Sequence, residues 1–103
     1  MRTWFSKRFS RTDIALHLTH NPQIIDVRSP QEFRHGHVTG ALNIPVQQLF
    51  TNLDQLDKNR PIITCCRSGV RSKIAAKQLN AMGFEAINGG TWQNVQKKQE
   101  RSI

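Results

Sequence analysis

Short runs of hydrophobic residues, separated by polar turns, predict the strands of this 103-residue chain. "QIIDV" (23–27) and "PIITC" (61–65) are rich in β-branched residues and have turn-forming neighbours, which is typical of buried strands. "FEAI" (84–87) predicts a third strand, and "ALNIP" (41–45) predicts a brief one that ends at its proline. These four segments are the candidate strands.

Helical patterns occupy the intervals between the first strands. "RTDIALHLTHNP" (11–22) predicts a short helix that ends at its Asn-Pro pair. "SPQEF" (29–33) carries a helix-start signature: a serine as N-cap, a proline at the first helical position, and Glu32 three residues after the cap. We expect this second helix to be short and to end at Gly36.

Three later segments also predict helices. "VQQLFTNLDQL" (46–56) has apolar residues at helical spacing, namely Val46, Leu49, Phe50, Leu53 and Leu56. "SKIAAKQLNAMG" (72–83) is the clearest helix; it ends at Gly83, and one face carries Ile74, Ala75, Leu79 and Met82. "TWQNVQKK" (91–98) predicts a closing helix.

Strands that alternate with helices over short connections indicate an α/β domain with a largely parallel sheet. The length fits a single domain over residues 1–103, with a core at about 10–96 and a basic tail at each end. In such sheets, sites lie at the carboxyl ends of the strands. "CCRSGVRS" (65–72) falls at that position.

The net charge of +8 and the pI near 10.6 favour anionic partners, from small oxyanions to nucleic acids or acidic proteins. The cations are spread along the chain, with basic pairs at Lys7–Arg8 and Lys97–Lys98. No zinc-finger spacing or ribonucleoprotein motif is present. We therefore expect a solvated basic surface rather than dedicated nucleic-acid binding.

We expect a cytoplasmic protein that does not enter a membrane. No stretch approaches the roughly 18 apolar residues that a membrane span requires. "MRTWFSKRFSR" (1–11) lacks the apolar core of a secretory signal, although its basic, acid-free composition also fits an organelle transit peptide. Two adjacent cysteines do not form a cross-linking framework, and free thiols fit a reducing compartment.

A strand, a tight loop with one glycine and a helix start together form a cradle for anions. A thiol at the start of this loop faces backbone N–H groups and the guanidinium of Arg67 or Arg71, which favour the thiolate and lower the thiol pKa. The alternative is that Cys65 and Cys66 are small buried hydrophobic residues. Because strand, loop, arginines and helix coincide, we interpret one of the two as a nucleophile.

Two registers are open for the nucleophile. Five residues lie between Cys65 and Arg71, which is the spacing between the nucleophilic cysteine and the arginine in protein tyrosine phosphatases. Counted from Cys66, the loop is one residue shorter. The strand pattern makes Cys65 the last strand residue and Cys66 the first loop residue.

The chain resembles the single-domain rhodanese-like (thiosulfate sulfurtransferase) family in three blocks. The first is "IIDVRSPQEFRHGHVTGALNIP", which carries Asp26, Arg28, Glu32, Phe33, His37, Gly40, Ala41, Asn43, Ile44 and Pro45; the others are "CCRSGVRS" and "GFEAINGGTW". In this family and in the phosphatases, a glycine follows the nucleophile by three residues. Gly69 fits Cys66, whereas Ser68 stands in that place for Cys65. We therefore interpret Cys66 as the nucleophile.

The resemblance implies a five-stranded, mostly parallel sheet with helices on both faces. It also implies transfer of a sulfane sulfur from thiosulfate or another persulfide donor to cyanide, a thiol or a protein, through a persulfide on Cys66. The loop residues that would bind the substrate are Arg67, Ser68, Gly69, Val70, Arg71 and Ser72. The implied partners are a small anionic sulfur donor and a sulfur-accepting or sulfur-donating protein, and no metal or organic cofactor is implied.

Other residues are expected to support the site or the fold around it. Asp26, Arg28 and His37 are expected to brace the site, and a zinc site at His35 and His37 is not favoured because no third ligand is suitably spaced. Ser72 is expected to be the helix N-cap, or to touch the substrate. Trp92, Gly83, Gly89 and Gly90 belong to the terminal block, and Trp92 is expected in the core or at the site rim.

Three alternatives remain open. A sulfur-carrier or partner-binding module would act on a partner protein's thiol, and the basic ends "MRTWFSKR" (1–8) and "KKQERSI" (97–103) would dock an acidic partner. A cysteine-dependent phosphatase would use Cys65, whereas the shorter loop from Cys66 suits sulfur transfer. Finally, Cys65 is a candidate auxiliary thiol, although strand alternation directs it to the opposite side from Cys66.

Overall fold

The computed structural model describes residues 14–101, which form an α/β domain around a parallel sheet. Its four strands are β1 (Gln23–Asp26), β2 (Leu42–Asn43), β3 (Ile62–Cys66) and β4 (Ala86–Thr91). They are arranged in the order β2-β1-β3-β4, and every pair is parallel. All four predicted strands occur, but β4 begins two residues later than predicted and runs on through Asn88, Gly89 and Gly90 to Thr91. A fifth strand does not occur within residues 14–101.

The helices alternate with the strands along the chain, which is typical of an α/β domain. They are α1 (Ile14–Leu18), α2 (Pro30–Arg34), α3 (Val70–Ala81) and α4 (Trp92–Arg101), with two 3₁₀ helices at Val46–Thr51 and Leu53–Gln55. Residues 1–13 lie outside the described part. They include the basic end at 1–8 and the first three residues (11–13) of the first predicted helix segment. The other basic end (97–103) belongs to α4 as far as Arg101, where the helix ends.

Side-chain alternation along β3 builds two apolar layers, one on each face of the sheet. Ile62 and Cys66 face the layer that α3 and the first 3₁₀ helix cover, with Ala75, Ala76, Leu79, Leu49 and Ile25. Ile63 and Cys65 face the layer that α1 and α4 cover, with Ile14, Ile24, Ile87 and Val95. The predicted helices on both faces of the sheet are thus confirmed.

The start of α2 follows its sequence signature. The Ser29 hydroxyl accepts a hydrogen bond from the Glu32 N–H, and the Glu32 carboxylate accepts one from the Ser29 N–H, with Pro30 at the first helical position. This reciprocal arrangement satisfies two backbone donors that a helix start leaves free. It also fixes the position of the Glu32 carboxylate at the start of α2.

Two helix predictions need correction. The segment 46–56 is not one helix but two 3₁₀ helices, because Asn52 leaves helical geometry between them (φ −127°). Its buried face also differs from the predicted one, because Phe50 is 58% exposed whereas Leu49 is buried. In α3, the predicted face is partly wrong, since Ile74 is 47% exposed and Met82, which follows the helix, is 37% exposed. The buried face of α3 consists of Ser72, Ala75, Ala76 and Leu79.

No helix within the described residues is long and apolar enough to cross a membrane.

Candidate active site

The candidate nucleophile lies at the carboxyl end of β3. Cys66 is the last residue of the strand rather than the first loop residue, because β3 pairs with Thr91 of β4 through it, after an irregularity at Thr64–Cys66. Both cysteines are fully buried as residues and neither is in a disulfide. Residues 66–72, which we call the cysteine loop, then curl around the Cys66 sulfur.

The cysteine loop directs hydrogen-bond donors at the Cys66 Sγ. The Gly69 N–H lies 3.0 Å from it and the Ser72 N–H 3.4 Å, whereas the Cys66 S–H donates to the Ser72 Oγ at 3.3 Å. Burial alone would raise the pKa of the Cys66 thiol, but hydrogen bonds from the Ser72 hydroxyl and from the N–H groups of Ser72, Gly69 and Ser68 outweigh it and lower that pKa. The site therefore favours a thiolate, the reactive form of cysteine.

Cys65 has the opposite environment, because alternation along the strand turns it to the other face of the sheet. Its side chain lies in the apolar layer with Ile14, Val38 and Val95. Burial, and secondarily the charge of Asp26, raise the pKa of the Cys65 thiol far above its ordinary value. Cys65 is therefore a neutral thiol, and its sulfur does not face the cysteine loop.

Ser72 is not the N-cap of α3, and this expectation was wrong. The helix begins at Val70, with Gly69 as N-cap in a left-handed conformation (φ 98°) that glycine adopts without strain. Ser72 therefore lies inside the first turn and is fully buried. Its backbone carbonyl accepts a hydrogen bond from the Thr64 hydroxyl at 2.7 Å, which fixes the helix start to β3.

The two arginines of the cysteine loop have different surroundings. Arg71 binds the Glu32 carboxylate with both terminal nitrogens, at 2.8 and 3.1 Å. Hydrogen bonds from Arg71, and then from the Ser29 N–H, lower the pKa of Glu32 to about 2. Arg67 is exposed and forms no ion pair with any residue between 14 and 101. It is thus the cation of the loop that is open to an anionic ligand.

Asp26 and Arg28 form a buried ion pair at the neighbouring strand end. The Arg28 guanidinium binds the Asp26 carboxylate at 2.7–3.0 Å and the Gly36 carbonyl at 2.6 Å, and it lies over the Trp92 ring at 5.2 Å. The Asn43 amide donates to the carbonyls of Asp26 and Arg28. These contacts tie β1, α2 and the start of α4 together beside the cysteine loop.

His37 lies outside this cluster. Its ring stacks on Phe33 with a centroid distance of 3.7 Å, and its Nδ1 is 2.7 Å from the Phe33 carbonyl. It therefore contacts the end of α2 rather than the cysteine loop. Within the described part of the chain, no three His, Cys, Asp or Glu residues are grouped closely enough to hold a metal ion.

An open cleft of about 310 Å³ adjoins the cysteine loop. Its lining combines charged, aromatic and small residues: Arg28, Glu32, His35, Gly36, Arg67, Trp92 and Gln93. Trp92 is partly exposed here, so it is a rim residue as well as a partner of the apolar layer around Cys65. The cleft brings Arg67, which has no ion-pair partner within residues 14–101, next to the Trp92 ring.

Sequence reasoning missed two residues of the site. Glu32 was identified as part of a helix start and of the first family block but not as a partner of Arg71, which it binds 39 positions away. Asn88 was not singled out, yet its side chain contacts Ser72, Gly69 and Gly90. A polar residue between Ile87 and two glycines in a strand was the available signal for Asn88.

Comparison with known proteins agrees with this architecture. A family model described as "Rhodanese-like domain" matches residues 3–95. The Bacillus subtilis protein YqhL is 43% identical over 65 residues, which are 63% of this chain and 52% of YqhL, so the match spans about half of that relative. The thiosulfate sulfurtransferase GlpE of Shewanella oneidensis is 35% identical over 66% of this chain and 70% of its own length.

Solved structures give the same result. A structure described as "rhodanese with anions from E. coli" superimposes with a TM-score of 0.66 at 32% identity, over 71% of this chain and 89% of the other. The expected fold class is therefore confirmed, and so is the family that the three sequence blocks indicated. From its matched residues, its parallel sheet and its cysteine loop, this chain belongs to the rhodanese-like domain family.

Proposed function

We propose that this protein is a sulfurtransferase that carries a sulfane sulfur on Cys66. The observation that carries the proposal is the convergence of the Gly69 N–H, the Ser72 N–H and the Ser72 hydroxyl on one sulfur. The two N–H groups, joined by the Ser72 hydroxyl once the sulfur is ionised, stabilise an anionic sulfur at the end of β3. Membership of a family that includes a relative named thiosulfate sulfurtransferase supports the same reaction.

In the proposed reaction, the Cys66 thiolate attacks the outer sulfur of thiosulfate. A new S–S bond forms to Sγ, the S–S bond of thiosulfate breaks, and sulfite leaves with the electron pair. Cyanide or a thiolate then attacks the outer sulfur of the persulfide, and the electron pair of the S–S bond returns to Sγ. The N–H groups of Ser68, Gly69 and Ser72 support the anionic sulfur before and after transfer.

Arg67 and Arg71 have separate roles in this proposal. Arg67 is exposed at the cleft and attracts the dianionic donor, because it has no carboxylate partner among the described residues. Arg71 is bound to Glu32, so it acts mainly by orienting the cysteine loop and adding positive potential near Cys66. We further propose that Asp26, Arg28 and His37 act only by bracing the surrounding elements, and that the reaction takes place in the cytoplasm, where free thiols persist.

The mass of the intact protein tests the proposal directly. Wild type, Cys65→Ser and Cys66→Ser are treated with thiosulfate and measured before and after cyanide. Wild type and Cys65→Ser should gain one sulfur atom and lose it to cyanide, whereas Cys66→Ser should gain none. Sulfur loading of Cys66→Ser, or failure of Cys65→Ser alone, would show that the wrong cysteine has been assigned.

A second candidate function is sulfur exchange with a partner protein, and the exposed face of α3 favours it. Val70 is 64% exposed and Ile74 is 47% exposed, and these two residues lie one turn apart. Lys73 and Lys77 are exposed on the same helix, which contains no acidic residue. A protein with acidic residues around an apolar contact therefore fits beside the cysteine loop.

Peptide thiols of opposite charge distinguish this second function. An acidic cysteine peptide should accept sulfur from loaded Cys66 faster than a basic one of equal length. Lys73→Glu/Lys77→Glu should abolish the preference, whereas Lys97→Glu/Arg101→Glu, which changes the net charge equally on α4, should preserve it. Equal loss in both double variants would mean that overall charge, not the α3 face, selects the acceptor. Turnover of thiosulfate with cyanide measures the first function separately.

A further inference from the structure

The Ser72 hydroxyl lies between two groups that compete for its single proton. Its Oγ is 3.3 Å from Cys66 Sγ and 2.6 Å from Asn88 Oδ1. A hydroxyl donates one hydrogen bond at a time, although its oxygen accepts others. Whether Ser72 stabilises a thiolate therefore depends on how strongly Asn88 holds the proton.

The Asn88 side-chain amide is fixed in the orientation that accepts from Ser72. Its Oδ1 also accepts from the Gly90 N–H at 2.9 Å, and its Nδ2 donates to the Gly69 carbonyl at 3.2 Å. If the amide were flipped, a nitrogen would face the Gly90 N–H and an oxygen would face the Gly69 carbonyl, so both contacts would be lost. The 2.6 Å contact is thus a hydrogen bond from Ser72 to Asn88.

The protonation state of Cys66 determines which way this hydroxyl turns. When Cys66 is a thiol, its S–H donates to Ser72 Oγ, and the Ser72 O–H donates to Asn88 Oδ1. When the sulfur is anionic, it is the stronger acceptor, since hydrogen bonds to charged groups exceed neutral ones. The hydroxyl then turns from the amide oxygen to the sulfur, while the Gly90 N–H continues to occupy Oδ1.

We propose that Asn88 is a positioning residue that holds the Ser72 hydroxyl away from Cys66 while the sulfur is neutral and releases it when the sulfur is anionic. In the proposed sulfur transfer, on which this extension rests, a persulfide leaves Cys66 Sγ as a neutral divalent sulfur, so the hydroxyl returns to Asn88. Loading and unloading of sulfur would then each be accompanied by one rotation of the Ser72 O–H bond. No proton leaves the Ser72 oxygen in either step.

The surrounding charges do not duplicate this contact. Arg71 on α3 adds positive potential at Cys66, and Glu32 of α2 partly neutralises it. Asp26 of β1 is bound by Arg28, and Cys65 is a neutral thiol on the other face of the sheet. Arg67 lies at the exposed part of the loop. Among these groups, none is hydrogen-bonded to the Ser72 hydroxyl.

The direction of the effect follows from the geometry. Asn88 accepts an additional hydrogen bond only in the thiol form, so it stabilises the thiol relative to the thiolate. One neutral hydrogen bond corresponds to about 0.5–1 unit of pKa. Asn88→Ala should therefore lower the pKa of Cys66 by about that amount. A residue that merely stabilised the loop would raise this pKa when removed, because the N–H donors would be less well aligned.

The experiment measures the rate of Cys66 alkylation by iodoacetamide against pH, with the modified residue located by peptide mass. It compares wild type, Asn88→Ala, Ser72→Ala and the double variant. Asn88→Ala should lower the pKa in the presence of Ser72 and leave it unchanged in the Ser72→Ala background. An increase in pKa, or an equal shift in both backgrounds, would overturn the proposal.

Asn88→Leu repeats the comparison with a side chain of similar size, in case the alanine variant does not fold. Thermal unfolding, monitored by circular dichroism, confirms that each variant is folded before the alkylation rates are compared. The readout needs no sulfur donor. If Asn88→Ala shifts the pKa of Cys66 as expected but thiosulfate loads no sulfur, the proposed function is rejected and the role of Asn88 stands. If sulfur is loaded but the expected shift is absent, the proposed function stands and the role of Asn88 is rejected.

Discussion

The Gly69 N–H makes a short contact to the candidate nucleophile, and its removal can be tested without changing a polar side chain. Gly69 has φ 98°, and its N–H lies 3.0 Å from Cys66 Sγ. A Cβ added at Gly69 would lie 3.5 Å from the Gly90 Cα, an ordinary van der Waals distance. The cost of Gly69→Ala therefore comes from the backbone conformation rather than from a steric clash.

Two effects of Gly69→Ala can be separated in magnitude. A non-glycine residue in the left-handed region costs roughly 1–2 kcal/mol, which lowers the melting temperature by about 4–8 °C per kcal/mol in a domain of this size. Relief of that strain rotates the Ser68–Gly69 peptide and moves its N–H away from the sulfur. A hydrogen bond to a charged group contributes about 1.5–3 kcal/mol, equivalent to about 1–2 pKa units.

Gly40→Ala is the matched control. Gly40 has φ 82°, and nothing lies within 4 Å of a Cβ built on it. Both variants should therefore lose similar stability, measured by thermal unfolding. Only Gly69→Ala should raise the pKa of Cys66, which would reduce its alkylation rate by about 10- to 100-fold at pH values below the wild-type pKa.

Two results for these glycine variants would contradict a role for the Gly69 N–H. If Gly69→Ala loses as much stability as Gly40→Ala but keeps the wild-type alkylation profile, the Gly69 N–H does not stabilise the thiolate. If Gly40→Ala slows alkylation equally, the effect is one of general destabilisation. Gly69→Asn provides a further check, since asparagine tolerates the left-handed region better than alanine and should show a smaller effect.

Three other predictions follow from packing and charge. Gly89→Ala should destabilise the fold by at least about 1–3 kcal/mol in urea unfolding, because its Cβ would lie 2.7 Å from the Thr64 carbonyl oxygen; wild-type stability would contradict this close strand packing. Cys65→Ala should cost about 1–2 kcal/mol through a small cavity yet leave sulfur transfer unchanged, and a loss of transfer would give that thiol a direct role. Because Arg71 lowers the pKa of Glu32 to about 2, Glu32→Gln should lower the melting temperature at pH 7, and the difference should shrink as pH falls from about 4.5 towards 2. A constant difference over this range would mean that the ion pair does not contribute.

The sheet and the position of the site were predictable because strands leave local signals. β-branched runs and their turn-forming boundaries identified β1 and β3, and alternation of side chains correctly separated Cys65 from Cys66. The start of β4 was also found, although the strand continues through the two glycines that follow the predicted segment. The start of α2 was also correct, since a capping box involves residues only three positions apart. Each of these features depends on neighbours in the sequence.

The errors concern features that tertiary contacts decide. The start of α3 moved from Ser72 to Gly69 because the loop must place its N–H groups around a sulfur, and Thr64 of another strand holds the Ser72 carbonyl. Ile74 carries an apolar side chain on the exposed side of that helix, so hydrophobicity alone misplaced the buried face. The bond between Glu32 and Arg71 joins residues 39 positions apart, and no local pattern encodes it.

The two cysteines show why burial alone does not determine reactivity. Both residues are fully buried and adjacent in one strand, yet the pKa of Cys65 is raised and that of Cys66 is lowered. Desolvation opposes ionisation at both sulfurs, so the difference must come from what each sulfur faces. Cys65 faces aliphatic side chains and the charge of Asp26, whereas Cys66 faces N–H groups and a hydroxyl. The two sulfurs at the strand end therefore differ in the side of the sheet they face and not in how deeply they are buried. The residues of the turn that follows determine which of the two thiols can act as a nucleophile.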